Sequence, residues 1–260
     1  MNGDSPSGLL DRILATKRAE LPALRAQRLP TGPSPRSFSL RRADAGLKLI
    51  TEIKFRSPST GALSTALSAS ERARAYQRGG ASMISVLCDS SFFDGAYAHL
   101  AEARAACDLP LLCKEFVIDE SQLDAAVAYG ADAVLLIVRC LSEERLNQLT
   151  LAARARKLEP FVEVVNDEES KMALGAGATL IGVNARDLDT LAMDSSHAAR
   201  VVAELPASVT RVHLSGIASP EDVQRVASSP ADAALLGTVL MREAEPEARL
   251  RGLVAAAVRH

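Results

Sequence analysis

Along almost the whole chain, short apolar runs alternate with longer stretches in which apolar residues recur every three to four positions. The short runs, rich in β-branched and aliphatic residues, predict strands at Lys48–Lys54, Met83–Leu87, Leu111–Phe116, Ala133–Val138, Phe161–Val165, Leu180–Asn184, Arg211–Ser215 and Ala233–Gly237. The longer stretches predict helices. Ser70–Arg78, SQLDAAVAYG from Ser121, SEERLNQLTLAARARKL from Ser142 and SPEDVQRVASS from Ser219 have this pattern, several opening on a serine N-cap with an acidic first turn. Glycine then marks where a helix turns into the next strand, in Tyr129-Gly130-Ala131-Asp132 and Gly175-Ala176-Gly177-Ala178. Strands covered by helices on one side and packed into a core on the other read as continuously apolar, as AVLLIV and TLIGV do. Eight strand–helix units of this kind predict an α/β protein, a single (β/α)8 TIM barrel, rather than an open sheet. Residues 1–46 stand outside the repeat. Gly8 to Ala26 reads as one amphipathic helix, followed by a Pro- and Ser-bearing linker, LPTGPSPRSFSL, expected to cap one end of the barrel formed by residues 47–260. The whole is expected to be one structural domain.

Composition narrows the function classes. Hydrophobic residues make up 48% and charged residues 24%, while 30 basic and 32 acidic side chains balance without long runs of either sign. No electrostatic footprint for nucleic acid or an anionic membrane follows from that balance. No apolar run approaches the roughly 18 residues of a membrane span, and MNGDSPSGLLDRIL lacks a basic region followed by an apolar one, so a cytoplasmic location is expected. Cys88, Cys107, Cys113 and Cys140 lack CxxC spacing and read as buried thiols. His99, His197, His213 and His260 show no HxxxH or HExxH spacing, so no metal site is expected. GAGATLIG lacks the third glycine of a dinucleotide fingerprint and precedes a strand instead of following one.

In a barrel of this kind, chemistry sits at the C-terminal ends of the strands. The first predicted strand ends in Glu52-Ile53-Lys54, the third in Lys114-Glu115, and the fifth carries Glu163. The sixth ends at Asn184, followed by Arg186 and Asp187, and the seventh at Ser215-Gly216. Residues i and i+2 share a face, so Glu52 and Lys54 should both point toward the interior or mouth, where Lys114, Glu163 and Asn184 can join them. One such charge could be a solvated loop residue; four charges and an amide converging from four strands point to an acid–base site, because unpaired charges are costly to bury. Ser215-Gly216 and Leu236-Gly237-Thr238 follow the last two strands, where barrels commonly cradle phosphate with backbone N–H groups.

These motifs resemble those of the indole-3-glycerol phosphate synthases, in order from Leu9 to the C-terminal helix. LLDRILATKRAEL is similar to the family's opening helix and TEIKFRSPSTG to its E-x-K-x-x-SPS-x-G signature. GGASMISVLCDSSFFDG, LPLLCKEFVIDESQLDAAVAYGADAVLLIV, FVEVVNDEE, IGVNARDLDT, SGI and LLGTVLMR follow in the family's order. The resemblance implies a decarboxylating, dehydrating ring closure of 1-(2-carboxyphenylamino)-1-deoxy-D-ribulose 5-phosphate in tryptophan biosynthesis, with no metal or organic cofactor. It implies Lys114 as general acid on the substrate carbonyl, Glu163 as the carboxylate that removes a proton during dehydration, and Lys54 as a second lysine at the substrate carboxylate or leaving hydroxyl. Glu52 and Asn184 are implied to orient these groups. Ser57, Ser215, Gly216, Gly237 and Thr238 are implied in phosphate binding, and Arg186 near the anthranilate carboxylate. Phe93, Phe116, Leu135 and Leu188 are implied as apolar walls, with Phe55 to Ser64 as the lid loop. A monomer or weak homo-oligomer is expected, with association with other tryptophan-pathway enzymes left open.

One departure touches the chemistry. The family's seventh-strand motif is usually E-S-G-I, and here it reads Leu214-Ser215-Gly216-Ile217, with Leu214 expected at the substrate. Losing a carboxylate beside two lysines should favour a neutral lysine. Three readings therefore stand: an active synthase, a paralogue acting on a modified anthranilate adduct, for which a more apolar Leu214 corner would be the mark, and a phosphosugar-binding module without turnover. Retention of both lysines favours turnover.

Overall fold

The computed structural model describes residues 8–42, 46–186 and 191–258. Eight parallel strands close into a barrel: β1 Lys48–Ile53, β2 Met83–Leu87, β3 Leu111–Lys114, β4 Ala133–Ile137, β5 Glu159–Val164, β6 Leu180–Asn184, β7 Thr210–Leu214 and β8 Ala233–Leu236. Each pairs with its neighbours in sequence, and β8 closes onto β1 through Lys48 opposite Ala233 and Thr51 opposite Leu236. Helix α1, Leu9–Ala26, precedes the barrel. The outer layer comprises α2 Ala69–Gly79, α3 Tyr97–Ala106, α4 Glu120–Ala128, α5 Glu143–Ala155, α6 Asp167–Gly175, α7 Ser195–Glu204, α8 Pro220–Ala227 and α9 Pro246–Ala256. None of the described helices is long and apolar enough to cross a membrane.

The expected TIM barrel is present, and most of its strands stop one or two residues short of the sequence-based ends. Lys54, Glu115, Phe116, Ser215 and Gly237 lie beyond the last paired residues, where the strands leave the ladder at the mouth. Several helix starts are fixed by side-chain caps. Ser68 and Glu71 form a reciprocal capping box on α2, as do Asp119 and Gln122 on α4 and Ser219 and Asp222 on α8. Short pieces below the resolution of periodicity also appear: a two-stranded ribbon, Arg56–Ser57 with Gly61–Ala62, and helical turns at Ser90–Phe93 and Thr238–Met241.

Strand alternation splits the core in two. Ile50, Met83, Leu112, Leu135, Phe161 and Val212 pack inside the barrel, whereas Leu49, Ile84, Cys113, Val134, Val162 and Ile181 pack outward under the helices. Continuing the inward parity past these apolar layers reaches Glu52 and Lys54, Lys114, Glu163 and Asn184. The apolar layers thus form a floor, and the polar residues form the mouth.

The N-terminal segment reaches both ends of the barrel. Leu10, Ile13 and Leu14 of α1 join the interior cluster, and Lys17 is buried against Asp89 and Glu115, with Nζ 2.7 Å from Asp89 Oδ2 and 3.2 Å from Glu115 Oε1. After α1 the chain crosses to the strand starts. There Arg41 donates to the carbonyls of Ala207 and Val209, and Arg42 to those of Ala227, Ser229 and Ala231.

Candidate active site

A cavity of about 500 Å³ opens at the C-terminal ends of the strands, and Glu52, Lys54, Lys114, Glu163 and Asn184 all line it. Glu52 is 2% exposed and bridges two ammonium groups. Its Oε1 lies 2.7 Å from Lys54 Nζ and its Oε2 3.2 Å from Lys114 Nζ. Burial alone would push the Glu52 carboxyl up, but the charges of Lys114 and Lys54 outweigh it and hold it down at about 2. Burial likewise pulls Lys114 down, and the carboxylates of Glu52 and Glu163 outweigh that and hold it above the ordinary lysine value. This corrects the expectation of a neutral lysine at a site lacking a carboxylate at position 214. One fully buried carboxylate shared by both lysines, with Glu163 adding its charge, keeps the ammonium form of Lys114 favoured.

Glu163 is also 2% exposed. Its Oε1 accepts a hydrogen bond from Asn184 Nδ2 at 2.9 Å, while its buried Oε2 has no hydrogen-bond partner among the described residues. Asn184 is itself fixed: its Oδ1 accepts from Ser215 Oγ at 2.9 Å and from the Arg186 backbone N–H at 3.0 Å. Ser215 has φ of 69°, the left-handed region, directly before Gly216 at φ 74°. That turn aims the Ser215 hydroxyl at Asn184, so a side chain expected among phosphate ligands donates to the amide that orients Glu163.

The other expected site residues fall around this pair of charged groups. Ser57, Gly216, Gly237 and Thr238 line one part of the cavity. Ser57 Oγ lies 2.6 Å from Thr60 Oγ1, within the ribbon after β1. Gly237 has no room for a side chain, because a Cβ there would stand 2.6 Å from Glu52 Oε1 and 3.4 Å from Lys54 Nζ. Phe93, Phe116 and Leu135 form an apolar wall, with the two rings 6.0 Å apart. Arg186 lines the cavity and donates from Nη1 to the Leu191 carbonyl at 3.1 Å. Leu188 and Asp187 lie outside the described residues.

Leu214 is not brought to the cavity wall. It is 2% exposed, belongs to the interior apolar cluster and stands opposite Asn184 in the ladder. Gly182 makes room for it: a Cβ on Gly182 would lie 2.7 Å from both Leu214 Cδ1 and Phe161 Cε2. Residue 214 is therefore part of the floor beneath Asn184.

Sequence reasoning missed several lining residues. Ile137 shares strand parity with Leu135 and was legible by that rule, whereas Leu9 and Ile13 reach the cavity only because α1 docks across the mouth. Arg242 lines the cavity from just beyond the turn after β8; it closes the LLGTVLMR motif, but nothing in that motif marked its side chain as facing the cavity.

A closed parallel barrel with paired lysines and carboxylates at its C-terminal mouth defines a (β/α)8 enzyme of the acid–base type. The family model described as indole-3-glycerol phosphate synthase matches residues 10–253, and the chain belongs to that family. It is 40% identical over 256 residues to indole-3-glycerol phosphate synthase 2 of Streptomyces coelicolor, covering 95% of this chain and 99% of the relative. It is 39% identical over 251 residues to the Micrococcus luteus indole-3-glycerol phosphate synthase, covering 94% of each. Among solved structures, a 3-hexulose-6-phosphate synthase aligns with a TM-score of 0.65 at 17% identity, over 81% of this chain and 99% of that one. The Pyrococcus furiosus thiamine phosphate pyrophosphorylase aligns with a TM-score of 0.62, also at 17% identity, over 82% of this chain and 96% of that one. At such identities the two structures share the fold alone.

Proposed function

We propose that this cavity carries out the indole-3-glycerol phosphate synthase reaction with Lys114 as general acid and Glu163 as the proton acceptor. The chain is a carbon–carbon lyase that closes the indole ring of 1-(2-carboxyphenylamino)-1-deoxy-D-ribulose 5-phosphate. The ring carbon that bears the carboxylate attacks the sugar carbonyl, and Lys114 gives its proton to the carbonyl oxygen as the new carbon–carbon bond forms. Loss of carbon dioxide returns the electron pair to the ring. The hydroxyl made in the first step then leaves as water, with Lys54 as its proton donor, and Glu163 takes the proton whose removal completes the pyrrole ring.

The observation that carries this assignment is the contrast between the two carboxylates. Glu52 spends both oxygens on the lysines and holds Lys114 in its ammonium form, whereas Glu163 holds one oxygen on Asn184 and leaves the other without a hydrogen bond among the described residues. One carboxylate thus serves the acid and the other is open to accept a proton. Ser57, Gly216, Gly237 and Thr238 hold the phosphate, Arg186 meets the substrate carboxylate, and Phe93, Phe116 and Leu135 hold the aromatic ring. Leu214 lies below the wall, so its apolar side chain does not reshape the ring pocket, and the unsubstituted substrate is the expected one. Lys114→Met and Glu163→Gln test the division of roles in single-turnover experiments. Lys114→Met should block ring closure, and Glu163→Gln should let an intermediate build up ahead of the indole.

A further inference from the structure

The cations lining the cavity are unequally committed. Lys54 and Lys114 both face Glu52, at 2.7 and 3.2 Å. Arg186 is held on the Leu191 carbonyl at 3.1 Å. Arg242 also lines the cavity and is exposed, yet its guanidinium has no acceptor among the described residues. Its neighbour Glu243 leans instead toward Arg249, with Oε1 3.8 Å from Nε. Arg242 sits at the end of the helical turn that begins at Thr238, so the backbone that brings Gly237 against Glu52 and Lys54 also carries this guanidinium to the rim.

Charge bookkeeping gives that free cation a purpose. Lys54, Lys114, Glu52 and Glu163 sum to zero, Glu115 is occupied by Lys17, and Glu243, which also lines the cavity, is balanced by Arg249. Arg186 alone would then face a substrate that carries both a carboxylate and a phosphate dianion. A planar guanidinium with several N–H donors suits phosphate oxygens, and an exposed one can close on the ligand without breaking an existing ion pair.

We propose that Arg242 is a further substrate-binding residue, which closes on the phosphate from the rim and sets the preference for a phosphorylated sugar chain. This inference rests on the reading of Ser57, Gly216, Gly237 and Thr238 as the phosphate site. Arg242 completes that site with a full charge, where the other groups offer N–H and hydroxyl dipoles.

The test uses the full chain, its substrate and inorganic phosphate as a competing probe. Arg242→Gln should raise KM by about tenfold or more, the scale of a lost charged hydrogen bond, while kcat stays within about twofold. The inhibition constant for inorganic phosphate should rise by a similar factor, and Arg242→Lys should recover part of both losses. If KM and phosphate inhibition match the wild type in Arg242→Gln, the role of Arg242 is overturned while the cradle stands. If inorganic phosphate fails to compete with substrate even in the wild type, the phosphate site itself is misplaced and the inference falls with it. A fall in kcat that accompanies a lower thermal midpoint and is not relieved by lysine would show a structural role, and would equally overturn it.

Discussion

Glu52 is the residue on which the site's electrostatics turn. By meeting Lys54 and Lys114 together, it keeps Lys114 charged well past neutrality. The high-pH limb of kcat/KM, which reports the free enzyme, should therefore lie above the ordinary lysine value of about 10.5, and Glu52→Gln should move it downward. Across the cavity, Ser215 acts through Asn184 to fix Glu163, the proposed proton acceptor. Ser215→Ala frees Asn184 to turn, and is expected to lower kcat by about tenfold with a smaller change in KM, as steady-state kinetics would show. Much of this site was legible one residue at a time, because a period of two places Glu52 with Lys54 and the inward ends of β3, β5 and β6 around one axis. The destination of the Ser215 hydroxyl was not legible, since it depends on a left-handed backbone at a non-glycine residue. Nor was the burial of Leu214, which requires the missing side chain at Gly182 on the neighbouring strand.

At the scale of elements, two contacts hold the mouth in shape. The first is the packing of β6 on its neighbours through Gly182. Gly182→Ala would drive a methyl group to 2.7 Å from Leu214 and Phe161, so it should cost about 1–3 kcal/mol in urea unfolding. The second is the docking of α1 by Lys17. Three carboxylates, Glu20, Asp89 and Glu115, surround this one buried ammonium. Burial pushes Glu115 up to about 7, against the pull of Lys17 and with Asp89 adding to the push. Between about 4.5 and 7 the folded state then binds a proton at Glu115 that the unfolded chain has released, so stability falls as pH rises through that window. Glu115→Gln should flatten this part of the thermal midpoint's pH profile. Lys17→Met strands two buried carboxylates, and should cost about 3–5 kcal/mol. The strands and main helices were readable from apolar period and caps, but the place of α1 was not: Lys17 meets Glu115 across 98 positions of sequence, and no local pattern encodes that meeting.

For the molecule as a whole, the barrel separates stability from chemistry along one axis. Apolar layers fill the interior from the strand starts upward, the linker's arginines close the lower end, and charged residues gather where the strands leave the ladder. The absence of carboxylate at position 214 is compatible with this plan, because the floor there is apolar and Lys114 is kept charged from β1. The chain contains no tryptophan, so an indole formed in solution fluoresces above a background of three tyrosines alone. That makes one measurement decisive: indole fluorescence on mixing the enzyme with unsubstituted 1-(2-carboxyphenylamino)-1-deoxy-D-ribulose 5-phosphate, beside Lys114→Met. The wild type should form indole-3-glycerol phosphate steadily, at a rate reduced about a hundredfold or more in Lys114→Met. Tight binding without product in the wild type, or equal turnover in the variant, would contradict the proposed mechanism.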